Sequence, residues 1–369
     1  MRRRAGSWNP VQVTLVAGGF YLAFTLVALA LHDWNPLWFV WVGEKFAGHD
    51  PHGRTGYDGQ FVYYIARDGA AAEGLLDNPP YRLRRILMPA AAALLSGGDP
   101  HLIPWAIIAI GFASIVATTW LLARRLEAAG GSPGYALCYS FYVGIFLAYS
   151  RGLTEPFAFA LATPGVLAWI DGKRARAWAL LMLAALAKEI TLLFAVALAI
   201  AEALRGRWRG ALGVLSAALP FLFWVAFLTV RFRSAGYPMV TGGRVILFPL
   251  AGIVLQLSAE PGRISAFLFV ALPAAALLVW SVRRARRDPS SYAVWLVLVH
   301  ALWTVLLPDG VYEHVMAAGR NATGLVIATV LFVPSLPDAS RRLLFACWTG
   351  PTLVWLVPVL RWAPWTSKI

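Results

Sequence analysis

Cysteine and charge are both scarce in this chain. Of 369 residues only Cys138 and Cys347 are cysteines, and both fall inside apolar runs without metal-ligand spacing. No disulfide framework is implied, which excludes a secreted disulfide scaffold. Charged residues make up 14%, against about 25% in an average soluble domain. So little charge cannot cover a globular surface, which excludes a soluble enzyme. The chain also lacks internal repeats, heptads and low-complexity segments. The charge it has leans basic, with 32 Lys and Arg against 18 Asp and Glu, a net +14. The basic residues sit in short clusters between apolar runs. That distribution orients a membrane protein and touches anionic head groups, and it excludes a nucleic-acid binder.

What is abundant is apolar surface. Hydrophobic residues make up 59% of the chain and mean hydropathy is +0.65. The 17 tryptophans suit two interfacial aromatic belts. Spanning runs are read at residues 11–31, 101–122, 135–149, 155–170, 177–187, 190–203, 211–230, 264–282, 292–307, 321–333 and 343–360, about eleven in all. The expected fold is therefore an all-α, polytopic transmembrane helical bundle, a single integral membrane domain over residues 1–369. The run at 11–31 is long for a signal peptide and lacks a clear small-residue cleavage site, so it reads as the first span with a cytoplasmic N-terminus. Residues 86–95 are apolar but too short to span, and read as an interfacial helix. Residues 245–257 read as re-entrant or interfacial.

Starting inside, every second connection carries a basic cluster: Arg2–Arg4, Arg124-Arg125, Lys173/Arg174/Arg176, Arg205/Arg207/Arg209, Arg283/Arg284/Arg286/Arg287 and Arg341-Arg342. That is the positive-inside pattern. Merging the two short runs around Lys188-Glu189 into one helix would move the later clusters outside, which favours two helices. The scheme places residues 32–100 as an extracytoplasmic loop containing interfacial helices. It puts Glu155, Lys188-Glu189 and Arg320 on the same side. Polar groups gathered on one face suit a membrane-surface enzyme, whereas a transporter more often places ionisable groups near the midplane.

Asp58 lies in Gly56-Tyr57-Asp58-Gly59-Gln60, ahead of an apolar-aromatic run. It reads either as the cap of a helix starting near Gln60 or as a general base at the mouth of an apolar cavity, and both can hold together. The flanking glycines let backbone approach a ligand closely. Arg82, Arg84 and Arg85 precede the interfacial run; they suit a phosphate or anchoring to lipid head groups. Thr154-Glu155-Pro156 is a good helix start, and Glu155 is equally a site candidate. Lys188-Glu189 is an expensive pair between apolar runs unless paired or wet. Arg320 can hold an anion at the membrane surface or simply snorkel. His49-Asp50-Pro51-His52 matches no closed metal site. Asn321-Ala322-Thr323 matches the glycosylation sequon inside a span and is discounted. His300 reads as a satisfied bundle histidine.

The layout and these motifs resemble the polytopic GT-C glycosyltransferases, including mannosyltransferase-like bacterial membrane proteins. Tyr57-Asp58-Gly59-Gln60 and Tyr81 to Pro89 look like that family's first extracytoplasmic loop. Thr154-Glu155-Pro156-Phe157 looks like a span start of the GPI-type mannosyltransferases, and Ala187-Lys188-Glu189 like a recurring Lys-Glu pair. The paired acid common in the family's first loop is missing; Asp50 and Asp68 are the nearest acids to Asp58. The resemblance implies inverting transfer of a hexose or pentose from a polyprenyl-phosphate donor to a glycan, lipid or protein hydroxyl. Asp58 is then the base. Tyr57, Gln60, Arg82, Arg85, Glu155, Lys188, Glu189 and Arg320 are substrate- or phosphate-binding. It also implies a bacterial plasma membrane, membrane lipids as partners, no nucleic acid and no cofactor. A divalent metal has no supporting ligand set. The alternatives are a transporter or flippase of a lipid-linked anion, and a non-catalytic scaffold.

Overall fold

The computed structural model describes residues 8–48, 50–237 and 261–361. Among the described residues every regular element is helical. The chain opens with α1 (Pro10–Leu31). Among the short helices of the first loop are α2 (Gly59–Asp68), α3 (Pro79–Leu83) and α4 (Leu87–Leu95). There follow α5 (Ile103–Ala128), α6 (Val143–Ser150), α7 (Glu155–Ile170), α8 (Arg174–Ala187), α9 (Leu192–Leu204) and α10 (Trp208–Ala235). The last four are α11 (Arg263–Ala285), α12 (Tyr292–Val305), α13 (Val315–Ser335) and α14 (Asp338–Arg361). Among the described residues six helices, α1, α5, α10, α11, α13 and α14, are long and apolar enough to cross a membrane; α7 and α12 are shorter apolar helices. The runs at 2–4 and 245–257, and His49, lie outside the described residues.

Five of the eleven expected runs are not among these six helices: those at 155–170, 177–187, 190–203 and 292–307 form helices of only 13–16 residues, and the fifth fails for a local reason. Residues 135–149 form no continuous helix: Leu137–Ser140 ends, the backbone extends at Tyr142 (φ −72°, ψ 128°), and α6 begins anew. All eight residues of α6 are buried. A helix that is apolar all round and too short to span is core rather than a lipid-facing element. Its apolar composition alone does not distinguish the two.

At Lys188 the chain turns through an extended residue (φ −162°, ψ 124°) between α8 and α9. Arg174, which opens α8, donates 2.9 Å to Glu202 near the end of α9. The far ends of these helices therefore meet, and Lys188-Glu189 sits at the apex of a reversal. The two runs are two helices, as the charge pattern required.

The first loop has its own apolar core. Phe61, Val62 and Ile65 of α2, with Leu83 and Met88, pack against Ile103, Ile107 and Ile110 of α5 and Leu228 and Phe232 of α10. The indole N–H of Trp224 on α10 donates 2.9 Å to the Leu83 carbonyl, satisfying the end of α3. At the tip of α4, Leu94 and Leu95 are exposed, as an interfacial helix requires.

Arg320 is brought to the loop by contact between α6 and α13. Gly144 touches backbone there: a Cβ on it would lie 2.4 Å from the Gly319 carbonyl and 2.8 Å from the Arg320 nitrogen. Gly144→Ala is expected to destabilise the protein by about 1–3 kcal/mol through overpacking. Thermal unfolding in detergent checks this; an unchanged midpoint would mean the two helices separate at no cost.

Candidate functional site

The stretch leading into α2 is built from backbone contacts. Tyr57 N–H donates to the Trp41 carbonyl at 3.0 Å. Gln60, almost fully buried, accepts from Gly43 N–H at 3.0 Å and donates to the Thr55 carbonyl at 2.6 Å. Its amide staples the loop. Gly59 is needed for a close approach of another kind than expected. A Cβ there would fall 1.9 Å from the Arg151 carbonyl oxygen, so the glycine admits neighbouring backbone rather than ligand.

Asp58 occupies the N-cap position of α2, but its side chain makes no capping hydrogen bond. Its carboxylate faces two arginines instead. Oδ1 lies 3.1 Å from Arg82 Nη2, and Oδ2 lies 3.4 Å from Arg320 Nη1. Thr154 likewise precedes α7 without capping it. Glu155 turns toward cations, with Lys188 Nζ at 2.5 Å and Arg320 Nε at 3.3 Å. Both acids thus have the sequence pattern of helix starts while their carboxylates are committed to ion pairs. Lys188 and Glu155 are buried, which a charge pair tolerates only with good partners.

The arginines of α3 and its C-terminal flank complete the network. Arg82 forks onto Asp77, with Nε and Nη2 each 2.7 Å from a carboxylate oxygen, and lies over the Phe61 ring at 4.3 Å. Arg85 forks onto Glu189 at 3.0 and 2.6 Å and donates 2.8 Å to the Tyr81 hydroxyl. Arg82, Arg84 and Arg85 surround the Tyr81 ring at 5.1, 4.8 and 4.7 Å. Arg320 lies 5.5 Å from the centre of the Tyr57 ring. Bidentate pairs of this kind fix a guanidinium in orientation as well as place.

These groups border a small, partly open pocket with a cavity volume of about 30 Å³. Its charged lining is Asp58, Arg82, Arg85, Glu155 and Arg320. Its apolar lining is Phe61, Val62, Ile65, Pro89 and Leu153. Five of the nine residues singled out in sequence therefore border one pocket. Lys188 and Glu189 stand behind Glu155 and Arg85, Tyr57 lies beneath Arg320, and Gln60 holds the loop. Asp77 and Tyr81 belong to the same network and were not singled out. Elsewhere, His300 is buried with Nδ1 2.8 Å from the Leu296 carbonyl. Asn321 donates to the Ala317 carbonyl at 2.9 Å within α13.

Electrostatically, burial pushes the Asp58 carboxyl up, but Arg320 and Arg82 outweigh it and hold the group well below the ordinary carboxylate range. No protein-family model matches the chain, and no curated protein matches it in sequence. The chemistry of the pocket must then be read from its own groups. Its lining offers guanidinium groups suited to an anion and an apolar wall beside them. It also presents a carboxylate to whatever the anion carries.

Because Asp58 is more acidic in the folded chain, its contribution to stability is present above the unfolded carboxyl value of about 3.9 and is lost as pH falls through the lower folded value. The difference in unfolding midpoint between wild type and Asp58→Asn should be constant from pH 8 to 5 and shrink below pH 4. A difference that instead changes between pH 5 and 8 would contradict the arginine clamp on Asp58.

Proposed function

We propose that this chain is an integral membrane glycosyltransferase of the GT-C kind. It moves a sugar from a polyprenyl-phosphate donor to an acceptor hydroxyl, with the pocket on the extracytoplasmic side. The observation that carries the reading is one pocket that joins two carboxylates, three arginines and an apolar wall beside a helix bundle. Such a lining matches an amphiphile with a phosphate head and a hydrocarbon tail.

In this mechanism Asp58 takes the proton of the acceptor hydroxyl as its oxygen attacks the anomeric carbon. The bond from that carbon to the phosphate oxygen breaks, and the phosphate leaves with one more negative charge. A phosphate leaving group needs charge stabilisation more than protonation, and Arg82, Arg85 and Arg320 supply it. The phosphate also competes with Asp58 for Arg82 and Arg320. Drawing their charge away raises the basicity of Asp58 toward what proton abstraction requires. Glu155, itself paired with Lys188, holds Arg320 in place. No nucleotide takes part.

The test is sugar transfer by protein in nanodiscs, using polyprenyl-phosphate sugars and a panel of acceptors. Asp58→Asn, with folding confirmed, should lower transfer by about 10²–10⁴-fold, the usual contribution of a general base. Equal transfer by wild type and variant would remove Asp58 from the chemistry. No transfer with any donor, together with lipid flipping in vesicles, would favour a flippase of lipid-linked anions.

A further inference from the structure

Asp77 lies outside the pocket lining yet touches the arginine with the most elaborate support. Arg82 sits on the five-residue α3, whose start is capped by Asn78: the side-chain oxygen accepts from Tyr81 N–H at 3.2 Å. Asp77 is the residue before that cap. Its carboxylate takes both Nε and Nη2 of Arg82 at 2.7 Å, and one oxygen also accepts Asn78 N–H at 2.7 Å. Asp77 is thus anchored to the turn it precedes, and Arg82 is anchored to Asp77. The Phe61 ring covers one face of the guanidinium. The side chain of Arg82 is only 12% exposed, while that of Asp77 is 37% exposed.

We propose that Asp77 is a positioning residue: its carboxylate locks one edge of Arg82 and so aims the guanidinium at an anionic group of the ligand beside Asp58. An isolated exposed ion pair contributes little to stability, so the value of this fork lies in orientation. Arg82 is a long side chain, and an unclamped one spreads over many rotamers. With Asp77 in place that freedom is removed before the ligand arrives, as pre-organised binding requires. Glu189 holds Arg85 with the same two-oxygen geometry. Two arginines of one pocket are thus each held from outside it. The inference rests on the proposed phosphate-bearing donor, and names the residue that readies the site for it.

The test is equilibrium binding of farnesyl monophosphate, with farnesol as the uncharged control, to full-length protein in nanodiscs. Asp77→Asn should weaken farnesyl phosphate binding about tenfold, the scale of one charge-assisted hydrogen bond. Farnesol binding should be unchanged, and Asp77→Glu should restore part of the loss. In an Arg82→Ala background Asp77→Asn should have no further effect. Binding by Asp77→Asn equal to wild type would overturn the proposal, and so would an equal loss with and without Arg82. If wild type binds farnesyl phosphate but transfers no sugar, the enzymatic reading fails while the role of Asp77 stands. If wild type binds no farnesyl phosphate, both fail.

Discussion

A chain of ion pairs running from Asp58 through Arg320 and Glu155 to Lys188 ties the first loop to the bundle. It joins residues as far apart in sequence as 58 and 320, and three of its members have side chains no more than 12% exposed. Charges so placed are expensive to desolvate, and each is tolerable only because the next compensates it. Removing one partner of such a pair leaves an uncompensated buried charge, commonly a cost of about 3–5 kcal/mol. The chain therefore fixes the relation between α2, α7, α13 and the turn after α8 more tightly than apolar packing does, since apolar contacts are non-directional. The close approach of Gly144 to Gly319 serves the same end by setting the depth of Arg320.

On the proposed reading, this same network makes the site sensitive to its ligand. Arginines balanced by carboxylates are held without being spent. Arg82 and Arg85 keep their forks on Asp77 and Glu189 while an incoming phosphate competes with Asp58 for Arg82 and Arg320. The pocket thereby trades one anion for another of similar charge, which avoids leaving guanidinium groups unpaired at any stage. The apolar lining from α2, with Pro89 and Leu153, gives a hydrocarbon tail a place beside the charge.

The helical class and the membrane-compatible composition were legible because apolar run length is written directly in the residues. Several charged residues that the fold gathers around one pocket also stood out: Glu155, Lys188, Glu189 and Arg320 interrupt or border apolar runs and demand partners, and Asp58 lies between glycines ahead of an apolar-aromatic run. The partners themselves were not legible, because pairing across two hundred residues depends on packing. Asp77 carried no sequence signal that singled it out, and only the fold around α3 shows that it pairs with Arg82. Residues 135–149 looked like a span because a buried core helix and a lipid-facing one share a composition. Gly59 was read as room for a ligand, whereas the space it leaves is filled by the Arg151 carbonyl. Capping at Asp58 was a reasonable local inference that pairing with Arg82 and Arg320 overrode, and Thr154 makes no capping bond either.

The most direct measurement is a cryo-electron microscopy structure of the protein in nanodiscs with a non-hydrolysable polyprenyl-phosphate sugar analogue. The account predicts phosphate density within hydrogen-bonding distance of Arg82, Arg85 and Arg320, the anomeric carbon facing Asp58, and the tail along Phe61, Val62 and Ile65. Density for the phosphate elsewhere on the protein, with the Asp58–Arg320 pair undisturbed, would contradict it.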